Sequence, residues 1–569
     1  MLPDAGQKSA DTHVGDLSVE TVDDLFRRLE QLNEIGAALS QEKDIDRLLE
    51  AILLAAKAIT RSEGGTLYLL ENSEEGQRLK FAIMRNETLN IAMGGTTGNP
   101  IPFYPVHLYG KDGQPNRQMV AAYAAITGET VNIADAYTEE GFDFSGTRNF
   151  DRKTGYRSRA FLTVPMKNHE GELIGVLQLI NSKHPATGEI VPFSGSDQRL
   201  AESLASQAAI ALTNRQLINQ LEELFESFIE LMNTAIDEKS PYTGGHCQRV
   251  PMLTMMLADA VNEVREGPLK DFSMSEKDRY ELKIAGLLHD CGKVTTPVHV
   301  VDKATKLETI FDRINLIDTR FEVLKRDAEI SALRQMLELS RKRGRDEIEV
   351  RERANDIDQT LRETLRQLDE DREFLRHCNV GDEFMSADAQ ARVNRIGTGH
   401  KWIDVSGGTA DFLTKDEIKN LTITRGTLTA EERDTINHHI VATIKMLEAL
   451  PWPKHLRNVP EYAGGHHERM DGQGYPRGLT RQQMSVQARV MGIADIFEAL
   501  TAKDRPYKRG KTLSESLKIL GNFKLNGHID PDLFDVFVRR KVYLRYAEQF
   551  LDPDQIDEVD ESKIPGFVP

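Results

Sequence analysis

The chain has 569 residues and a formal net charge of −18. That length holds several domains, each with its own core, and the acidic balance argues against a general nucleic-acid binder, whose affinity rests on basic phosphate contacts. Cys247, Cys291 and Cys378 are its only cysteines and form no CxxC pair, which argues against a disulfide framework or zinc ribbon and fits a reducing compartment. No apolar run approaches the ~20 residues that span a bilayer. The opening MLPDAGQKSADTHVGD lacks the basic-then-apolar order of a signal peptide. A cytoplasmic protein is expected, with a short disordered tail over residues 1–20.

In chain order, a helical pattern comes first. Between residues 17 and 59, Leu25, Leu29, Leu32, Ile35 and Leu39 recur at three- and four-residue steps. Strands are predicted at 66–70, 79–83, 161–166 and 174–180, with a hairpin turn at 169–172. Helix, sheet and then a long helix make an α+β sensor-type domain over residues 21–215. From Asp197 to Asp237 the chain reads as one helix. Asn214, Leu217, Leu221, Leu224, Phe228 and Leu231 keep alternating three-four spacing along it. That is a coiled-coil seam, in which a polar residue at an a position such as Asn214 fixes register and dimer state. The rival is a helix packing on its own domain. The seam is favoured because the helix joins two domains, so residues 216–240 are assigned as a linker in a homodimer.

The densest polar stretch is residues 462–476, YAGGHHERMDGQGYP. His466 and His467 stand beside Glu468, Arg469 and Asp471, and Gly472 and Gly474 permit a tight loop that ends in Tyr475-Pro476. Imidazoles and carboxylates this dense are costly to bury unless something charged satisfies them. A metal cluster does so; a solvated polar loop is the bland alternative. Matching pieces elsewhere favour the metal. In LLHDCGK, residues 287–293, the apolar Ile284, Leu287 and Leu288 mark a buried helix face, and His289 and Asp290 emerge near its end. A buried aspartate beside a histidine can bridge two metal ions. His438-His439 follow the LTAEER stretch of residues 428–433, and ADIFEAL, residues 494–500, precedes RPYK at 505–508.

Together these pieces resemble an HD-GYP domain, a branch of the HD metal-dependent phosphohydrolases. The motifs are His289-Asp290 with Gly292-Lys293, His439, His466-His467-Glu468, the DGQGYP of residues 471–476, and Asp495 with Arg505, Pro506, Tyr507 and Lys508. The resemblance covers residues 217–550 apart from one insertion. It implies an all-helical domain, assigned to residues 241–550, a two- or three-metal site that is usually iron, and hydrolysis of cyclic di-GMP to pGpG and/or GMP. His289, Asp290, His439, His466, His467 and Asp495 are assigned as ligands, with Asp290 bridging. Imidazole and carboxylate without thiolate suit iron or manganese better than a structural zinc. Two such ions activate a water and stabilise charge on the phosphoryl oxygens.

Asp290 and Lys293 are assigned the catalytic roles. Lys293, Arg505 and Lys508 are assigned to substrate phosphates, Lys508 against the alternative of a surface lysine, and Tyr475 to stacking on a guanine. Arg469 is set aside for pairing with a carboxylate. The family also uses its GYP loop to contact GGDEF-domain proteins. In its PYTxGH element, here at residues 241–246, a Glu often stands nine residues before the histidine. Asp237 takes that place and is the candidate ligand of a third metal. His246 reads either as an outer ligand or as a structural hydrogen-bonding histidine, the second slightly favoured.

His289 and His439 lie much further apart than in the family, because residues 303–425 are inserted. Leu307, Ile310, Ile314, Ile317, Phe321 and Leu324 form one helical stripe, and Ile357, Leu361, Leu365 and Leu368 a second, with a break at residues 342–345. A charged helical hairpin follows from this. It is read as an exposed arm without chemistry of its own, for a partner or for dimerisation. Gly399, Gly407 and Gly408 mark an irregular return path, and residues 551–569 read as a disordered acidic tail.

Residues 21–215 resemble a GAF domain, on the FDRKTGYRS of residues 150–158 and the strand from Gly175 to Asn181. Asn181, Lys183, Phe193 and Asp197 are similar to the motif of cyclic-nucleotide-binding GAF domains. Ser182 intervenes, however, and Gln198 stands where Glu is expected. A regulatory role is expected, with nucleotide binding weighed equally against a module without ligand. Two rival functions stand beside the phosphodiesterase: a catalytically weak cyclic di-GMP-binding protein, and an HD phosphohydrolase of another cyclic nucleotide or dinucleotide.

Overall fold

The computed structural model describes residues 19–74, 76–239, 245–341, 347–381, 384–404, 406–503 and 510–568. The chain divides into two compact units, with the boundary between Phe225 and Glu226.

The first unit opens with α1 (Val19–Gln41) and α2 (Ile45–Thr60). The helical pattern breaks between them because Asp44 accepts from the Arg47 amide at 2.9 Å and caps α2. The sheet strands are β1 (Ser62–Ser73), β2 (Gly76–Asn86), β3 (Ile91–Gly94) and β4 (Val106–His107), then β5 (Val131–Ile133), β6 (Phe161–Lys167), β7 (Leu173–Lys183) and β8 (Ile190–Val191). Between them lie α3 (Val120–Thr127) and α4 (Ser145–Thr154). The antiparallel sheet runs β3-β2-β1-β7-β6-β5, with β4 on β2 and β8 on β7. Alternating residues such as Leu67, Leu177 and Leu179 meet Leu48, Ile52 and Ala56 of α2 and Leu204, Ala205 and Ala208 of α5 (Gly195–Lys239). A side chain at Gly65 would come within 2.8 Å of Leu53, so only glycine lets α2 lie this close to β1.

The motif residues near the end of β7 are spent on the fold. The Asn181 carboxamide oxygen accepts from the Arg159 and Ala160 amides, and its nitrogen donates to Tyr156 Oη, Glu63 and the Arg157 carbonyl. Lys183 pairs with Glu63 at 3.1 Å, and Asp197 pairs with Arg28 in the interior.

The second unit is helical: α6 (His246–Asn262), α7 (Glu276–Leu288), α8 (Val298–Val301), α9 (Ile314–Arg341), α10 (Glu347–Asn379), α11 (Ala387–Gly399), α12 (Lys415–Leu421), α13 (Ala430–Glu448), α14 (Val459–Gly464), α15 (Val486–Thr501), α16 (Leu513–Leu525), α17 (Pro531–Arg539) and α18 (Val542–Phe550). A small hairpin, β9 (Lys401–Ile403) and β10 (Thr409–Asp411), follows α11.

The insertion corrects the expectation of a wholly exposed arm. α9 and α10 do form the hairpin, but its base has a core of its own. Leu307, Ile317, Phe321, Leu368 and Leu375 pack with Val393, Ile396, Phe412 and Leu413, which come from the return path. That path is built from α11, the β9–β10 hairpin and α12 rather than irregular chain. Ile310 falls off the stripe, 94% exposed, because α9 begins only at Ile314. The far half of the hairpin is exposed at Leu333, Leu337 and Ile348. The break at residues 342–345 lies outside the described residues. The tail expected to be disordered is packed over residues 551–568. Gln555 donates to the Thr501 and Lys511 carbonyls, and Ile564 and Phe567 are buried.

Candidate metal centre

A capping box of Ser275 and Asp278 starts α7, and its buried Leu282, Ile284, Ala285 and Leu288 set its face against the core. The helix then delivers His289 and Asp290 into the interior, both buried. The tight turn Cys291–Thr295 follows and lies directly on α13. A side chain at Gly292 would meet the His439 carbonyl at 2.0 Å and the Thr443 amide at 2.5 Å, so glycine is required. The Gly292 amide instead donates to Thr443 Oγ1 at 2.9 Å. This close approach brings His439 of α13 up to the His-Asp pair. His466 and His467 follow α14, Asp495 comes from α15, and His246 opens α6.

Three of the histidines share one device. His289 Nδ1 donates to the Gly286 carbonyl at 2.7 Å, His439 Nδ1 to Ile436 at 2.5 Å, and His466 Nδ1 to Ala463 at 2.6 Å. A carbonyl only accepts, so each Nδ1 carries a proton and Nε2 is the nitrogen left to present a lone pair to an ion. Two ligand groups result: His439, His466 and His467, and His246, His289 and Asp290, with donor atoms in each within 4.8 Å of one another. Asp290 faces both. Its Oδ2 lies 3.2 Å from His246 Nε2 and 3.3 Å from His289 Nε2, while its Oδ1 lies 3.3 Å from His439 Nε2. Asp495 also spans the groups, 3.4 Å from His246 Nε2 and 4.0 Å from His467 Nδ1.

The arrangement fits cations. His467 Nε2 faces His439 Nε2 at 3.2 Å, and His289 Nε2 faces His246 Nε2 at 3.4 Å. His466 Nε2 and Asp290 Oδ1 are buried without a hydrogen-bond partner. Like atoms pressed together and orphaned donors to metal are what a divalent ion would satisfy. Burial, then the neighbouring His467 and His289, holds His466 well below the ordinary histidine value. Burial brings His467 down to about 4, so both imidazoles are neutral at pH 7. Burial would raise the Asp290 carboxyl, but Lys293, His289 and His246 overcome it and hold it well below the usual range. Asp495 is likewise held low against burial, by His246, His466 and His467.

Other assigned residues lie around this cluster. Lys293 Nζ sits 2.6 Å from Asp290 Oδ2. Glu468 is not among the donors: its carboxylate accepts from the Arg477 and Leu479 amides and pins the loop that carries Tyr475. A side chain at Gly474 would meet the Arg469 amide at 2.3 Å, so the loop folds flat on its own start. Tyr475 stacks on His467, ring centroids 4.9 Å apart. Arg469 pairs with Asp471 at 2.6 Å. Arg505 and Lys508 lie outside the described residues, as do Pro506, Tyr507 and residues 241–244. Asp237 stands near Gly245, His246 and Cys247, and its Oδ1 is buried without a partner. His246 Nε2 points at Asp290 and Asp495, as its outer-ligand reading expects, and its Nδ1 meets Glu498 at 2.5 Å, as its hydrogen-bonding reading expects. The signal was its position at the start of a helix, after Gly244-Gly245.

Residues 243–368 and 415–533 each match an HD domain family, and residues 44–212 match the GAF domain family. The chain joins a GAF domain to an HD domain of the HD-GYP type. The two matched HD regions carry His246, His289, Asp290, His439, His466, His467 and Asp495. A 3′3′-cGAMP-specific phosphodiesterase 1 of Vibrio cholerae is 46% identical over 81 residues, 14% of this chain and 19% of that protein. A cyclic di-GMP phosphodiesterase of Pseudomonas aeruginosa is 45% identical over 74 residues, 13% of this chain and 17% of that protein. A dual 3′,5′-cyclic-AMP and -GMP phosphodiesterase 11A of Takifugu rubripes is 26% identical over 210 residues, 36% of this chain and 21% of that protein. The matches to these relatives span between 17% and 21% of their lengths.

Proposed function

We propose that this GAF–HD-GYP chain hydrolyses a phosphodiester bond of a cyclic dinucleotide, cyclic di-GMP, to pGpG and/or GMP. The observation that carries the reading is Asp290, whose two carboxylate oxygens face different donor groups. Two divalent ions, iron by the family resemblance with manganese as the alternative, would supply an activated water and neutralise phosphoryl charge there. The chain's own residues do the rest. His289, His439, His466 and His467 hold fixed lone pairs toward the centre. Lys293 offers an ammonium at its edge for a phosphate oxygen, and Arg505 and Lys508 are proposed as further phosphate contacts. Tyr475 offers a ring on the rim for a guanine. Asp237 is the proposed ligand of a third ion.

The GAF domain is proposed to regulate rather than catalyse. A homodimer is supported by the seam on α5, where Leu217, Leu221, Leu224, Phe228 and Leu231 are 54–66% exposed in one chain. A GGDEF-domain protein is proposed to meet the GYP loop. No helix among the described residues is long and apolar enough to cross a membrane; a cytoplasmic location is part of the proposal.

The test incubates iron-loaded and manganese-loaded protein with cyclic di-GMP and with 3′3′-cGAMP, and follows products by chromatography. Linear pGpG or GMP from cyclic di-GMP is expected. Turnover of 3′3′-cGAMP alone would move the substrate to the second reading, which the name of the Vibrio relative favours. Binding without turnover of either would leave a dinucleotide-binding protein instead.

A further inference from the structure

Among His246, His289, His439 and His466, one is oriented differently. His289, His439 and His466 each give Nδ1 to the carbonyl three residues back, at Gly286, Ile436 and Ala463. His246 is the first residue of α6, so no preceding turn of its own helix supplies that carbonyl. Its Nδ1 instead meets Glu498 Oε2 at 2.5 Å, across from α15. Glu498 is 1% exposed, and its other oxygen accepts from Arg249, one turn beyond His246, with Nε and a terminal nitrogen each at 2.7 Å. The far side of the ring then points inward, with Nε2 at 3.2 Å from Asp290 and 3.4 Å from Asp495.

We propose that Glu498, with Arg249 behind it, is the positioning carboxylate that turns His246 Nε2 into the metal centre. The proposal rests on the centre as read above. Glu498 touches neither the proposed ions nor the substrate; it acts through the proton it holds on Nδ1. A buried carboxylate is costly unless paired, and here each oxygen has one task. Oε1 is taken by Arg249, and Oε2 fixes the imidazole.

The division of oxygens makes a specific test. In Glu498→Gln, Arg249 has only donors to offer, so the amide oxygen must stay with it. The amide nitrogen then faces His246 Nδ1. A nitrogen that receives a donor carries a lone pair, so the imidazole proton moves to Nε2, where the centre needs a lone pair. One ion site should weaken about 10–100-fold, as for other partners behind metal ligands. The His439, His466 and His467 group should keep its ion. Adding Arg249→Met frees the amide to rotate and present its oxygen to Nδ1, so binding should return toward wild type. A merely structural role predicts the reverse, a double variant worse than either change alone.

Manganese titration, with free ion read by electron paramagnetic resonance, measures this without any substrate, and circular dichroism checks the fold. Wild-type affinity in Glu498→Gln overturns the proposal, and so does a folded double variant that binds no better than Glu498→Gln. Should the glutamine variant not fold, Arg249→Met alone decides. Glu498 still accepts from His246 there, so both ions should remain, and loss of one overturns the proposal. His289→Ala separates the two levels of the reading: if it binds manganese like wild type, the centre itself is misassigned.

Discussion

The base of the insertion and the metal centre both bury charged and imidazole groups within the same helical unit. In the insertion every such group named here has an opposite partner. Arg320 pairs with Glu417 through both carboxylate oxygens, Lys303 meets Glu432 and Asn420, and Asp371 accepts from Arg392, His400 and Gln367. In the centre, nitrogen faces nitrogen, and His466 Nε2 and Asp290 Oδ1 go unmatched. Polar density is equal in kind, so density does not mark a site. What differs is whether the cluster closes on itself. A closed network rigidifies a fold, while one that stays open with fixed donor atoms is poised for something from outside.

The largest expected effect breaks this contrast at its centre. Asp290→Ala removes a carboxylate whose two oxygens face different donor groups, so elemental analysis should find both ions lost and chromatography no turnover. Full metal with near-normal rate would end the bridging assignment. In the insertion, Glu417→Ala should leave metal content alone. It strands the mostly covered Arg320 guanidinium, whose side chain is 11% exposed, and should cost about 3 kcal/mol of local stability, read by hydrogen exchange in α9 and α12. The pH dependence has a definite sign. Burial alone would raise the Glu417 carboxyl, but Arg320 and the Thr414 amide overcome it and hold it below its usual 4.5. A carboxyl depressed on folding stabilises above its unfolded value and loses that contribution as pH falls through its folded value. The protection of α9 and α12 in wild type should therefore hold at pH 7 and fall once pH drops below 4.5, while Glu417→Ala shows a flatter profile.

Lys293→Ala comes next and sharpens the boundary between ligand and substrate contact. Lysine is cationic at pH 7, since the Asp290 charge raises its ammonium against burial. Metal should stay bound while hydrolysis falls about ten- to a hundredfold, the worth of one charge-assisted contact of roughly 1.5–3 kcal/mol. A variant as metal-poor as Asp290→Ala would remove Lys293 from substrate binding.

The clustering of His289, Asp290, His439, His466, His467 and Asp495 was legible because each sits in a short, dense motif. His246 was less so, because what distinguishes it is a missing carbonyl, which only helix boundaries reveal. The core of the insertion was hidden for another reason. Val393, Ile396, Phe412 and Leu413 come from short elements, and the hairpin among them is too brief to show a period. The long stripes of α9 and α10 stood out and suggested an arm alone. In the tail, acidic composition masked Gln555, Ile564 and Phe567, three side chains that hold it down.

The smallest expected effect on the fold comes from α5, whose apolar stripe is open in a single chain where the insertion's stripes are partly closed. Leu221 is 66% exposed there. Replacing it by glutamate removes little burial within one chain, and an exposed substitution of this kind is worth within about 0.5 kcal/mol. The melting of each unit should therefore hardly move. In a dimeric seam the same change puts two like charges where two leucines would meet, in an a/d stripe that depends on apolar burial. Light scattering should then give the monomer mass of 64.1 kDa for Leu221→Glu and twice that for wild type. A monomeric wild type would mean the stripe closes on something other than a second copy. A dimer that survives Leu221→Glu would shift assembly to another surface, and the exposed Leu333 and Leu337 on the outer hairpin would be the next residues to change.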